Sequence, residues 1–291
     1  MVFARQYKKS LFLIVLLPLI LMISACLNND EQSNLGDVSI SLKTPPYNDY
    51  VVEGKPFSII VEAVNSGDYE TPISICVSDT ISPGTIPETE RVCARDNIEA
   101  SNGNSPGTAE ISFGREFVYE DVTNDNSITT IKAKAEFDYV TSASKTECLK
   151  GEEANLKDCK AEALERTKGP IYVESINVDL NAFQETIDPS INIRLAELSD
   201  GSVVGDGIDL SVYFDQTNAE LICDGPGLNN NLLNWGVMKK SEKVINCVSS
   251  QPIDIGIDNG YQDKIKVELR YKYEVIVAKT LTIKDSDKRY A

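Results

Sequence analysis

Apolar and polar residues alternate with period two along most of this chain, and the clearest stretch occurs twice. Ile131, Ala133, Ala135, Phe137 and Tyr139 alternate with Lys132, Lys134, Glu136 and Asp138. Further on, Ile265, Val267, Leu269, Tyr271 and Tyr273 alternate with Lys266, Glu268, Arg270 and Lys272. Successive side chains of a strand point to opposite faces, so each stretch predicts a long antiparallel strand with one buried and one wet face. The two align without a gap at a separation of 134 positions, with Ile131/Ile265, Lys132/Lys266, Tyr139/Tyr273, Lys145/Lys279 and Thr146/Thr280 identical. Each runs on into further β-favouring sequence, which predicts a closing strand pair in each copy.

The copies also begin alike. Val38, Ile40 and Leu42 alternate in the first, and Ile176, Val178 and Leu180 in the second. In the first copy Val52, Gly54 and Pro56 then precede the alternating Phe57, Ile59, Val61 and Ala63, closed by the turn Asn65-Ser66-Gly67. This opening resembles that of CARDB-type and related immunoglobulin-like modules of prokaryotic surface proteins. The corresponding segment of the second copy, from Ser190, keeps the alternation and lacks the glycine and proline. Short strands with Gly, Asn, Asp or Pro turns recur through both halves, as sandwiches require. The expected fold is all-β: two tandem immunoglobulin-like antiparallel β-sandwiches, residues 37–149 and 170–287, with a tail at 288–291. Residues 150–169, charged and rich in helix formers, read as a linker with room for one or two helical turns.

Ahead of these lies a different pattern. Arg5, Lys8 and Lys9 precede an unbroken apolar run from Leu11 to Ile23, thirteen residues that include Pro18. That length suits the apolar region of a signal peptide and falls short of the roughly 20 residues of a membrane-spanning helix. The run ends in Ile23-Ser24-Ala25-Cys26, which resembles the lipobox of prokaryotic lipoproteins. The resemblance implies cleavage after Ala25, a diacylglyceryl group on Cys26, and anchoring on the extracytoplasmic face of the membrane. An ordinary secretory leader or an uncleaved anchor are the alternatives. Residues 26–36, rich in Asn, Asp, Gln and Ser, read as a flexible tether. The paired domains and their tyrosine-bearing strands are also similar to archaeal envelope proteins.

Charge narrows the partners. The net charge of −17 becomes −20 once residues 1–25, with three basic and no acidic side chains, are removed. A field of that sign repels nucleic acid. The chain has no histidine, which excludes Ser-His-Asp and Cys-His nucleophile pairs and His-containing zinc sites. A carboxylate-only glycosidase passes that filter, yet no carboxylate pair stands out.

With Cys26 assigned to lipid, six of the seven cysteines remain, an even number suited to an oxidising compartment. Cys76 and Cys93 lie mid-way through the first copy and Cys223 and Cys247 mid-way through the second, so the repeat predicts Cys76–Cys93 and Cys223–Cys247 as equivalent disulfides. Cys148–Cys159 is the remaining local pair. Loops of such length stabilise a domain by about 3 kcal/mol each.

Two kinds of site candidate follow. The only tryptophan, Trp235, lies with Leu232, Leu233, Val237 and Met238 in a Gly/Asn-rich segment, a candidate partner contact if exposed and core filling if not. Three acidic groups have oxygen ligands of the type calcium takes: Asp121 and Asp125 with Asn124 and Asn126; Asp200, Asp206 and Asp209; and Asp254, Asp258 and Asp263. None has EF-hand spacing, and no cofactor is expected beyond a weakly held calcium ion, for which Asp254, Asp258 and Asp263 are the candidates. The functional expectation is a non-catalytic, membrane-anchored module for binding, adhesion or envelope structure, whose partner is an envelope protein or a glycan. The alternative is a carbohydrate-active or accessory extracellular protein using acidic residues.

Overall fold

The computed structural model describes residues 38–43, 50–80, 92–103, 105–113, 116–120, 127–150, 159–198, 201–217, 219–236, 242–255 and 260–285. All regular structure among them is β, with no helix. The first half contributes β1 (Val38–Leu42), β2 (Tyr50–Val52), β3 (Ile60–Asn65), β4 (Thr71–Asp79), β5 (Val92–Ile98), β6 (Gly107–Ser112) and β7 (Ser127–Lys150). After β8 (Glu165–Arg166), the second half contributes β9 (Ile171–Phe183), β10 (Thr186–Glu197), β11 (Ser202–Phe214) and β12 (Leu221–Asp224). It continues with β13 (Leu228–Asn229), β14 (Leu232–Leu233), β15 (Glu242–Ser249), β16 (Ile253–Asp254) and β17 (Gly260–Lys284).

Three sheets result. A central sheet runs β13-β14-β11-β17-β7-β4-β5, with β8 added to β7 and β2 lying parallel beside the end of β17. The first half adds a sheet β1-β3-β6, and the second a sheet β12-β15-β10-β16 with β9 on β10. All the strand pairs except β2–β17 are antiparallel. The buried faces of the three sheets meet in one hydrophobic cluster that includes Val38 and Val61 of the first half and Ile191 and Ile245 of the second.

The alternation read at the start is realised in the two long strands. Thr129 to Ala143 of β7 and Asp263 to Tyr273 of β17 bury every odd-numbered residue. Each expected strand pair is instead one uninterrupted strand. No Gly, Pro or Asn lies between Ser127 and Lys150, or between Tyr261 and Lys284, so nothing breaks either ladder. The two strands pair with each other along their length, from Gly260 opposite Lys150 to Ile283 opposite Ser127. The boundary expected between separate sandwiches is therefore spanned by the longest ladder, and residues 36–291 form one compact unit.

The connection between the halves is only partly described. Residues 151–158 lie outside the described residues, and the stretch from Cys159 to Leu164 is irregular. Glu165 and Arg166 then run back along Ser144 and Ala143 as β8, and Thr167 N donates to Ser142 O at 2.8 Å. Gly169 arrives against the Tyr139 ring, so the connection returns to mid-ribbon before the second half begins.

Candidate functional site

The Trp235 segment folds inward. Leu233, in β14, is fully buried and Trp235 is 3% exposed. Its indole Nε1 donates to Glu197 Oε2 at 3.1 Å, and Tyr273 Oη donates to Glu197 Oε1 at 3.1 Å. A buried carboxylate needs such donors, and Glu197, at the end of β10, ties the tryptophan to the central sheet. Trp235 is thus core filling, which corrects its candidacy as an exposed contact. Of its companions Leu232 keeps 39% exposure, while Val237 and Met238 lie outside the described residues.

The acidic candidates have different fates. Asp263 is buried and accepts from the N–H groups of Gln216 (3.0 Å), Thr217 (3.0 Å) and Lys264 (2.7 Å), and from the Thr217 hydroxyl. Its carboxylate caps the end of β11 rather than facing outward. Asp254 is exposed on β16, and Asp206 and Asp209 are exposed on β11. Asp121, Asn124, Asp125, Asn126, Asp200 and Asp258 lie outside the described residues, as does Cys26. Among the described residues no three acidic or thiol groups gather as a metal site.

Three cysteine pairs stand at bonding distance: Cys76–Cys93 (2.08 Å), Cys148–Cys159 (2.09 Å) and Cys223–Cys247 (2.04 Å). The first joins directly opposed residues of β4 and β5 in the central sheet, and the third joins opposed residues of β12 and β15 in the second half's own sheet. They are not structural equivalents, since one lies in the central sheet beside β7 and the other in a sheet that does not contain β17. The pairing suits an oxidising compartment. Among the described residues no helix is long and apolar enough to cross a membrane.

The surface feature that the sequence did not suggest lies on the outer face of the central sheet. A groove of about 890 Å³ runs over the middle of the β7–β17 ribbon. Its floor holds Asp138, Val140, Glu268, Arg270 and Lys272, and its walls come from the first half (Tyr69 to Pro72) and the second (Val204 to Asp209, with Leu232). The second wall stands up because β11 bulges between Val204 and Ile208. Gly207 has φ of 126°, and a Cβ there would fall 2.5 Å from Leu233 O, so only glycine fits the bulge. Tyr69, 43% exposed, stands on the rim.

Charges on the floor are laddered. Arg270 pairs with Glu268, and Lys272 lies 4.0 Å from Asp138. Beyond the groove Lys134 bridges Glu274 and Glu136, whose hydrogen bonds raise its pKa above the ordinary lysine value. Such exposed pairs add little stability and chiefly fix which charge stands where. No signal in one stretch of sequence could have found the groove, because its walls are about 135 positions apart. The chain matches no known family model, and no curated protein matches it in sequence.

Proposed function

We propose that this protein is a lipid-anchored, non-catalytic module of the cell envelope, built of two immunoglobulin-like sandwiches, that presents the outer face of its central sheet to an envelope partner. The observation that carries the reading is the use to which its chemical groups are put. Glu197, Asp263 and Asp79 are buried as hydrogen-bond acceptors for structural donors, with Tyr119 Oη 2.9 Å from Asp79 Oδ2. Six cysteines are spent on staples. What remains is a broad recess over a rigid two-strand floor, a shape for contact along a surface. Edges and loops of sandwiches serve the same purpose elsewhere.

The test is the intact mass of the protein from its native membrane fraction, before and after reduction and alkylation. The expected species begins at Cys26, carries a diacylglyceryl adduct, and gains six alkyl groups only after reduction. An unmodified Cys26 would end the lipid-anchor reading, and thiols that alkylate before reduction would end the stapled one.

A second reading rests on the groove lining, which holds Glu70, Asp138, Asp206, Asp209 and Glu268 together with Tyr69. Carboxylates beside an exposed aromatic ring are what a carbohydrate-handling surface uses. Binding of surface polysaccharide fragments, lost in Tyr69→Ala, would favour it.

A further inference from the structure

Two independent registers coincide in the central ribbon. In sequence, each position of β7 corresponds to the position 134 further on in β17, so Phe137 corresponds to Tyr271, Asp138 to Lys272 and Tyr139 to Tyr273. In space, Phe137 faces Tyr273, Asp138 faces Lys272 and Tyr139 faces Tyr271. Corresponding residues therefore face each other at one pair only, Asp138–Lys272, and every other pairing is reciprocal about it. That is the contact rule of an isologous interface with a two-fold axis through that pair. The four rings follow the rule, closing a square with centroid separations of 6.3, 5.7, 5.9 and 6.2 Å.

Features outside the ribbon obey the same operation. Gly67 and Gly201 are 134 positions apart; a Cβ on Gly67 would lie 1.7 Å from Tyr139 Oη, and one on Gly201 2.3 Å from Tyr273 Cε1. Strand β4 joins β7 from Ile73–Phe137 to Asp79–Ile131, and β11, displaced by one position after its bulge, joins β17 from Ile208–Tyr271 to Phe214–Ile265. On its other side the Ile131–Phe137 stretch is flanked by Tyr273–Lys279, the continuation of the second half's strand. The Ile265–Tyr271 stretch is flanked by Tyr139–Lys145, the continuation of the first's. Each half's sheet is completed by a strand the other half donates.

We infer that each half is a self-complementary module whose long strand and aromatic face accept a second copy of the same half, and that this chain is the covalently joined, heterotypic form of such a dimer. The Asp138–Lys272 pair selects the heterotypic form. Pairing two first halves would set Asp138 against Asp138, and pairing two second halves Lys272 against Lys272. Like charges directly opposed in a ladder disfavour a pairing by about two- to five-fold.

The test starts from the full chain carrying a site-specific protease sequence after Lys160, in an exposed stretch, so that Cys148–Cys159 stays within the first fragment. After cleavage the fragments are expected to elute as one particle and to unfold in one transition. Denatured together and refolded with disulfides intact, they are expected to give first–first and second–second pairs beside the mixed pair in native mass spectra. Asp138→Asn with Lys272→Asn is expected to raise the homotypic share about two- to five-fold. Fragments that separate as folded monomers overturn the inference. So does a refolded mixture in which neither fragment forms a homotypic pair, with or without the two substitutions.

Discussion

In the first half the cross-strand disulfide looks outward, with Cys93 exposed on the outer side of the central sheet; the second half's own cross-strand staple looks inward, with Cys247 at 0% exposure. The buried carboxylates differ in where their donors stand. Asp79 of the first half takes a hydrogen bond from Tyr119 within its own half, whereas Glu197 of the second takes them from Trp235 and from Tyr273, a member of the shared aromatic square. Around one common ribbon, the first half is stapled at its surface and keeps its buried carboxylate to itself, whereas the second is stapled nearer its core and ties its carboxylate to the ribbon. The contrast teaches that duplication preserved the ladder, where every residue has a partner to satisfy, and left the periphery to be secured in whatever way its local sequence allowed.

The largest test of that contrast is Tyr273→Ala. Emptying a fully buried aromatic site costs about 3–5 kcal/mol. Because Tyr273 faces Phe137 of the first half, amide exchange is expected to accelerate in β3 and β4 as well as in β10 and β11. Loosening confined to the second half would show two independent domains. Next in size, Cys76→Ser with Cys93→Ser and Cys223→Ser with Cys247→Ser are each expected to cost about 3 kcal/mol in denaturant unfolding. Dilute reductant is expected to open the exposed Cys76–Cys93 first, read by differential alkylation, since attack on a disulfide depends on access. Opening of Cys223–Cys247 first would reverse the surface-versus-core distinction.

A smaller effect is expected in alkali. Burial holds the Tyr271 hydroxyl well above its ordinary value, and burial with the neighbouring Asp79 charge does the same to Tyr119. An unfolded chain releases such protons near pH 10 while the folded one keeps them. Stability is therefore intact below about pH 10 and falls above it, by about 1.4 kcal/mol per pH unit for each tyrosine. Thermal midpoints at pH 9 and pH 11 check this, and equal midpoints would contradict it. The smallest effect belongs to Lys272→Asn in the intact chain, about 0–1 kcal/mol, since the pair is exposed and 4.0 Å apart.

Much of the β pattern was legible because alternation is local: the buried odd positions of β7 and β17 are those the sequence marks. The length of those strands was legible only as an absence, the lack of any Gly, Pro, Asn or Asp from Val140 to Lys150 or from Glu274 to Lys284. That they pair with each other is a non-local fact, fixed by which edge is left open when β4 and β11 have taken the other side. The cysteine pairings follow from position in the chain. Their inequivalence does not, because Cys76 and Cys223 share a neighbouring isoleucine yet lie in different sheets. Trp235 illustrates the same limit: a loop-like composition around it says nothing of Glu197, 38 positions away, which draws it into the core.

The two inequivalent staples share one geometry, and it has a mechanical meaning. β5 ends the central sheet and β12 ends the second half's sheet, and each disulfide rivets such an outermost strand to its neighbour at directly opposed residues. A sheet pulled from its margin opens like a zipper, one pair at a time, and that is its weakest response to force. The β7–β17 ribbon, about 80 Å of strand at some 3.3 Å per residue, resists in shear when pulled along its length, with all its pairs sharing the load. With two margins riveted, tension is carried by a beam instead of a seam.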